Sequence, residues 1–398
     1  MNAPSAPAAA PPRYALRMWL FFAGYFVFGG VAIPFFPVWL DSRGLSDVEI
    51  AAIIAVPGFL RVFLTPFAGI FADRAPNRRF AAICFTLPAA AVFLLAWPLE
   101  GFWPLLVIVA VSFTVWGLAL PVGEALALTG MRRFGLDYGR MRIGGSVSFI
   151  IVNLGAGAVI ALLHAEAIFW MMFAALAVSA LVSFGLPVTP PAVRALDDRG
   201  RPSRPPLLPV LREPAFLILI LVGALIQSSH AMLYSFGSLF WHAQGFGGVA
   251  IGAFWAIGVA CEIVFFIFAA PLVRRFGPLG FLVLGGLAAI VRWLAFPLEP
   301  GIAGYLALQA LHAFSFGAVY LGNQHMIARA VPEELTASAQ GVLAMVIGLF
   351  AALATLASGP LYEAYGGDAF ALMAVLPAIA LVILAVARGW GWLADARG

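Results

Sequence analysis

Almost the whole chain is divided into long apolar segments separated by short polar turns, and that feature leaves few folds open. The segments run over roughly 16–40, 47–72, 80–98, 102–128, 138–162, 166–186, 213–241, 247–272, 278–297, 301–328, 336–360 and 367–388. A helix needs about 20 apolar residues to cross the hydrocarbon of a bilayer. Only helices and closed barrels cross it, because every backbone polar group must be satisfied without water. These segments are too long and too uniformly apolar for barrel strands, which alternate over about 9–11 residues. Composition agrees, with 63% hydrophobic and 10% charged residues. Soluble domains run near ~45–50% and ~25%, so a water-soluble enzyme is excluded, and so is a disordered chain. The expected fold class is an all-α membrane protein with 12 transmembrane helices.

The one long internal connection, 187–212, carries seven prolines and five arginines. It reads as a cytoplasmic linker between two six-helix bundles, 14–186 and 213–398, with 1–13 as a disordered N-terminal tail. No cleavable signal peptide is expected in that Ala/Pro-rich start. All 22 basic residues are arginine, and with the N-terminus inside, 19 of them fall on the cytoplasmic side. The arginine bias sets the orientation, and an even span count puts both termini in the cytoplasm. Arginines distributed over short loops indicate topology, not a nucleic-acid footprint. Cys84 and Cys261 lie in apolar runs, so neither a disulfide framework nor a metal site is expected. No phosphate loop, metal spacing or nucleophile elbow is present, which excludes ATP-driven transport within the chain and implies no cofactor.

The halves echo each other. Trp97-Pro98-Leu99-Glu100 is matched by Phe296-Pro297-Leu298-Glu299, an offset of 199, and Gly69–Arg79 by Ala270–Gly280, an offset of 201. Both matches fall in equivalent places between spans, which supports a duplicated six-span unit. Internally repeated transporters commonly bind substrate near the bilayer midplane.

With these features the chain resembles the major facilitator superfamily (MFS). Between spans 2 and 3 that superfamily carries G-x-x-x-D-[RK]-x-G-x-[RK]-[RK]; here it reads Gly69, Asp73, Arg74, Arg78 and Arg79, with Pro76 at the second glycine position. The resemblance implies the MFS fold, two pseudo-repeated six-helix bundles, and a gating role for this loop. A narrower resemblance is to the phenylpropionate-permease-like transporters, relatives of the lactose-permease type of proton symporter. It is carried by PFFPVWLDSRGLSDVEI, DYGRMRIGGSVSF, CEIVFF, RRFGP, VRW and LHAFSFG.

A charge in the middle of a span costs about 2.5–3.5 kcal/mol on insertion scales and so calls for a partner or a wet cavity. Counting about 1.5 Å per residue puts Glu262, Arg292 and His312 at similar mid-membrane depth in spans 8, 9 and 10. An acid, a permanent cation and an imidazole at one level are the parts of a proton-coupling site. In the lactose-permease type an acid, an arginine and a histidine in these spans serve coupling and substrate binding, and the resemblance extends that role to these three. The plainer reading is a polar group that fixes helix packing. In the first half, Glu124 and Arg142 match an acid–arginine pair that related permeases place at the substrate; alternatively Glu124 is an interfacial acid reaching water. Arg61, deep in span 2 with no acid near it in sequence, suits a carboxylate ligand.

His230 and Tyr234, four apart, share a helix face and are candidate cavity groups. Gln227, Tyr320, Asn323 and Gln324 are weaker candidates, as are Tyr25 and Phe28 for an aromatic wall. His325 stands at an offset of 201 from Glu124. Gly144-Gly145 and Gly155-Ala156-Gly157 read as close helix packing. The expected function is proton-coupled uptake of a small organic solute by alternating access, with a small carboxylate such as a phenylpropionate-like aromatic acid as substrate. Three arginines (Arg61, Arg142, Arg292) against two acids (Glu124, Glu262) leave one net positive charge, which motivates an anion. The alternatives are a proton-coupled sugar or nucleoside symporter and an MFS efflux antiporter; span 5 lacks the proline of the antiporter motif. The expected partners are substrate, protons and lipid. The expected state is a monomer in a bacterial inner membrane.

Overall fold

The computed structural model describes residues 10–163, 165–188, 212–330 and 336–390. The expected 1–13 tail and 187–212 linker lie largely outside them. All regular structure among the described residues is helical. The first half forms α1 (Tyr14–Ser42), α2 (Asp47–Arg74), α3 (Arg78–Leu94), α4 (Phe102–Gly117), α5 (Ala119–Phe134), α6 (Tyr138–Leu162) and α7 (Glu166–Phe184). The second forms α8 (Pro214–Ser228), α9 (Ala231–Ala243), α10 (Gly248–Ala295), α11 (Gly301–Ala310), α12 (Val319–Ala330), α13 (Thr336–Tyr365), α14 (Ala369–Leu372) and α15 (Val375–Gly389).

These pieces build twelve helical segments. Ten stretches among the described residues are long and apolar enough to cross a membrane. One of them, Gly341–Gly389, holds the eleventh and twelfth segments in tandem, and the third segment is the 17-residue α3. The expected turn between segments 8 and 9 is present and tight: helical geometry within α10 is broken at Gly277, whose φ of 67° lies in the left-handed region open to glycine, and the spans on either side, Gly248–Ala269 and Arg275–Leu298, fold back so that the Phe265 and Phe281 rings meet at 5.8 Å. Three further segments are interrupted in mid-course. Segment 4 breaks at Leu118 between α4 and α5, segment 7 at Ser229 and His230 between α8 and α9, and segment 10 passes through a π-helical stretch, Ala313–Ala318.

Local chemistry sets the helix ends. Ser46 and Glu49 form a reciprocal capping box at the start of α2, with Ser46 N–H donating to Glu49 Oε2 at 2.9 Å and Glu49 N–H to Ser46 Oγ at 3.4 Å. Asn77 and Asp137 cap α3 and α6 through their side-chain oxygens.

The described residues fall into two compact units. The first holds those within Met1–Leu45, Leu60–Ala192 and Gly247–Gly252; the second holds those within Ser46–Phe59, Val193–Phe246 and Ala253–Gly398. In the first, α1 packs along α6 and α7, and α3 packs on α4 and α7. Phe21, Phe22, Tyr25, Leu126 and Met141 are buried between them. Glycine allows the closest approaches. A methyl on Gly144 would lie 2.6 Å from the Trp19 carbonyl oxygen, and Gly157 meets the backbone of Gly248, whereas Gly155 faces open space. In the second unit α8 packs on α12, α13 and α15. Trp241, near the C-terminal end of α9, packs together with Phe296, Tyr305 and Phe370.

Two arginines close the C-terminal end of α7. Arg17 Nε donates to Gly185 O at 2.5 Å and Arg79 Nε to Leu186 O at 2.6 Å. The last carbonyls of a helix carry its negative dipole end, so cations are favoured there. Replacing both arginines with glutamine is expected to lower stability by about 1 kcal/mol, read as a lower unfolding temperature of the detergent-purified protein.

Candidate functional site

The polar groups of the second unit converge on one guanidinium. Arg292, on α10, is 1% exposed. Its Nη1 donates to His312 Nδ1 at 3.3 Å and to Ser315 Oγ at 3.3 Å, and its Nη2 donates to Gln309 Oε1. Its plane lies 4.8 Å from the Trp293 ring centre. Nε has no hydrogen-bond partner among the described residues. All three acceptors are uncharged, so the cation is solvated by neutral dipoles.

The hydrogen-bond directions fix two imidazole tautomers. Arginine only donates, so His312 Nδ1 must accept, and its proton resides on Nε2. That Nε2 lies 3.5 Å from Glu262 Oε2. His230 Nδ1 faces the Gln227 carbonyl at 3.1 Å and therefore carries the proton; its Nε2 accepts from Ser315 Oγ at 3.0 Å. One chain of polar groups thus runs from Glu262 through His312, Arg292 and Ser315 to His230. Tyr234 stacks on His230 at 6.0 Å and on Trp255 at 5.9 Å, and its phenol is in the field of both Arg292 and Glu262.

The helix interruptions create this arrangement. Between α8 and α9 the carbonyls of Ile226 and Gln227 are met by Ser229 Oγ (2.6 Å) and His230 Nδ1 (3.1 Å). The break therefore leaves these two carbonyls satisfied while it turns the His230 ring inward. Ser229 Oγ also accepts from Trp293 Nε1 at 2.9 Å, which seats the residue next to Arg292. The π stretch begins immediately after His312 and contains Ser315; such bulges recur at functional sites because they re-aim side chains.

In the first unit, Arg142 Nε lies 3.2 Å from Glu124 Oε1, and Glu124 Oε2 accepts from Tyr138 Oη at 2.6 Å. The Arg142 guanidinium also lies 4.2 Å from the Phe26 ring centre, a cation–π contact. Arg61 is different. Its side chain lies directly across Gly117, and its guanidinium makes no hydrogen bond or ion pair among the described residues. Tyr25, whose phenol feels Arg61, Arg142 and Glu124, stacks face to face on Trp116 at 4.1 Å. Phe28 closes on the same indole at 4.6 Å.

The structure therefore brings together Glu262, Arg292, His312, His230 and Tyr234, and separately Glu124 with Arg142. Gln227 takes part through its backbone carbonyl. Asn323 is buried against Gly223, and Tyr320 lies 6.1 Å from Phe266. Of the loop residues, Gly69 and Arg74 are exposed. Arg78 donates to Ala125 O and Thr129 Oγ1, and Arg79 holds α7; the side chain of Asp73 lies outside the described residues. Sequence reasoning missed Gln309, Ser315 and Tyr138. Gln309, His312 and Ser315 recur every third residue in an apolar span, which places polar groups on one helix face, and that spacing was the available signal.

A family model described as the MFS_1 like family matches residues 14–373. The chain belongs to that family. As a member of the MFS_1 like family it is a multi-pass membrane protein and a secondary transporter of a small-molecule substrate, not an enzyme. It is 27% identical over 363 residues to the probable 3-phenylpropionic acid transporter of Escherichia coli (strain K12), covering 90% of this chain and 94% of that one. It is 25% identical over 372 residues to the maltose permease of Geobacillus stearothermophilus, covering 92% and 93%. A mutant form of the nucleoside transporter NupG superposes with a TM-score of 0.79 at 17% identity, covering 94% of this chain and 99% of that one. The last likeness is one of fold.

Ser315 links Arg292 to His230, so its hydroxyl both accepts and donates. Ser315→Ala is expected to destabilise the protein by about 1–3 kcal/mol, since a buried donor loses its acceptor. Ser315→Thr, which keeps the hydroxyl, should retain most of that stability; thermal unfolding in detergent compares the two.

Proposed function

We propose that this transporter takes up a small carboxylate, such as a 3-phenylpropionate-like aromatic acid, together with protons, by alternating access. The observation that carries the substrate class is Arg61. Arg142 is neutralised by Glu124 and Arg292 is enclosed by three acceptors, while the Arg61 guanidinium has no polar partner among the described residues. A guanidinium in that state favours a carboxylate, which it binds through two parallel hydrogen bonds. The stacked Tyr25–Trp116 pair in the same unit suits an aromatic ring next to that carboxylate. A relative named for 3-phenylpropionic acid supports the same class.

Proton coupling is assigned to Glu262, with His312 and Arg292 behind it. When Glu262 is ionised, His312 N–H faces an anion; when it is protonated, that attraction is lost and the change reaches Arg292 through one imidazole. Protonation and substrate binding then bias one two-state equilibrium, as coupled ligands do. His230 and Tyr234 are assigned to the substrate side of the second unit. Asp73, Arg74, Arg78 and Arg79, with Gly69, are assigned to the gate. The protein is assigned to a bacterial cytoplasmic membrane as a monomer, with both termini inside and bundles 14–186 and 213–398 joined by 187–212.

Uptake of labelled 3-phenylpropionate into proteoliposomes under an imposed inward proton gradient tests the proposal. Accumulation is expected to collapse with a protonophore. Glu262→Gln is expected to abolish gradient-driven accumulation while leaving substrate exchange measurable. Uptake indifferent to both overturns the proton assignment. Arg61→Ala is expected to raise the KM at least tenfold, the equivalent of about 1.4 kcal/mol. A ligand screen by thermal shift in which sugars or nucleosides stabilise the protein and carboxylates do not overturns the substrate class.

A further inference from the structure

The two charged groups assigned above occupy the same slot of the duplicated unit. Arg61 and Glu262 differ by 201 positions, the offset that relates Gly69–Arg79 to Ala270–Gly280. Each crosses a glycine in the fourth segment of its own repeat, and those glycines, Gly117 and Gly317, differ by 200. A methyl on Gly117 would lie 2.6 Å from Arg61 Nη1; one on Gly317 would lie 3.3 Å from Glu262 Cγ and 3.2 Å from the Phe266 ring. Each glycine also sits at an interruption. Gly117 is the last residue of α4 before the break at Leu118, and Gly317 lies within the π stretch 313–318. Two charged side chains and two glycines thus recur at spacings of 201 and 200, each glycine at a helix fault. Neither glycine has a positive φ, so backbone conformation does not require glycine at either place. What it removes is a side chain in the path of the charged group.

We propose that Gly117 and Gly317 are positioning residues, cradles that lay Arg61 and Glu262 across the fault in the neighbouring helix, so that one repeated slot serves once for a permanent cation and once for a titrating acid. The assignment of ligands to the slots, carboxylate to Arg61 and proton to Glu262, rests on the function proposed above; the cradles themselves rest on the contacts. The clearance differs between them. A methyl at 117 must displace Arg61, whereas one at 317 needs its neighbours to yield by a few tenths of an ångström. Alanine is also the better helix former, so propensity alone would make both substitutions mildly stabilising.

The test uses the full chain in proteoliposomes with labelled 3-phenylpropionate. Gly117→Ala is expected to raise KM about tenfold with Vmax within about twofold. Gly317→Ala is expected to leave KM nearly unchanged and to move the pH midpoint of uptake by half a unit or more. Gly155→Ala, whose methyl meets nothing within 4 Å, is expected to do neither. Wild-type KM in Gly117→Ala, or equal effects of all three variants, overturns the proposal. Should Gly117→Ala fail to accumulate in the membrane, adding Arg61→Gln is expected to restore it, because the shorter side chain leaves room for the methyl; no restoration overturns the cradle. If Arg61→Gln alone leaves uptake intact, the substrate reading fails, and the cradle is still read at Glu262. There, the infrared carboxyl band that disappears in Glu262→Gln should titrate with a shifted midpoint in Gly317→Ala, and an unshifted band overturns it.

Discussion

Everything in this protein follows from the absence of water around a backbone that must keep its hydrogen bonds. Unbroken helices are the default answer in hydrocarbon, since each peptide group is satisfied within its own segment. Long stretches such as α1, with 29 residues, follow it. The departures at Leu118, at Ser229–His230 and over Ala313–Ala318 are therefore informative, because each removes or redirects backbone hydrogen bonds where no solvent replaces them. At Ser229–His230 the side chains themselves serve the freed carbonyls. The same atoms that repair the helix also build the polar chain to Arg292, so the fold tolerates the fault because the site occupies it.

The second constraint is charge. A guanidinium buried to 1% exposure persists only if its hydrogens find acceptors. In the second unit this is met with neutral groups rather than with a direct carboxylate partner, and Glu262 is held one imidazole away. A direct Arg–Glu ion pair would hold the acid ionised across the working pH range. A neutral histidine between them links the two charges without a direct ion pair, the arrangement on which the proposed proton coupling relies. The first unit solves the problem in the opposite manner: Arg142 is paired directly with Glu124, further tied by Tyr138 and covered by Phe26. Such a pair is suited to a fixed structural or binding role rather than to titration.

Much of this was legible in the residues because lipid makes their meaning unusually strict. Apolar length alone defined twelve segments, and the rarity of charge within them singled out Arg61, Glu124, Glu262, Arg292 and His312. Depth counting put the last three at one level, where they do meet. What the residues did not reveal was connectivity. Ser315 and Gln309 are ordinary polar residues in a membrane helix, and only the π stretch turns Ser315 toward both Arg292 and His230. His230, a candidate cavity group by its place on the helix face, proves to be fully buried and hydrogen-bonded at both nitrogens. The turn between segments 8 and 9 was expected from the apolar lengths, but its tightness was not: one glycine at φ 67° reverses the chain between the two spans.

Duplication supplies the last step. A repeat inherits its packing solutions together with its sequence, so a glycine that clears a path across one helix does so in both halves. The charge placed in that path is under no such packing constraint. Arginine and glutamate both lie across the same kind of fault, and the exchange of one for the other changes what the slot attracts without rebuilding the helices that form it. Asymmetry of function within a symmetric scaffold then needs only a few side chains. Arg61 corresponds in sequence to Glu262, Trp116 to Phe316 and Glu124 to His325, at offsets of 201, 200 and 201. In each pair the position is shared while the chemistry differs; on the function proposed above, one six-helix unit, used twice, serves a solute in one copy and a proton in the other.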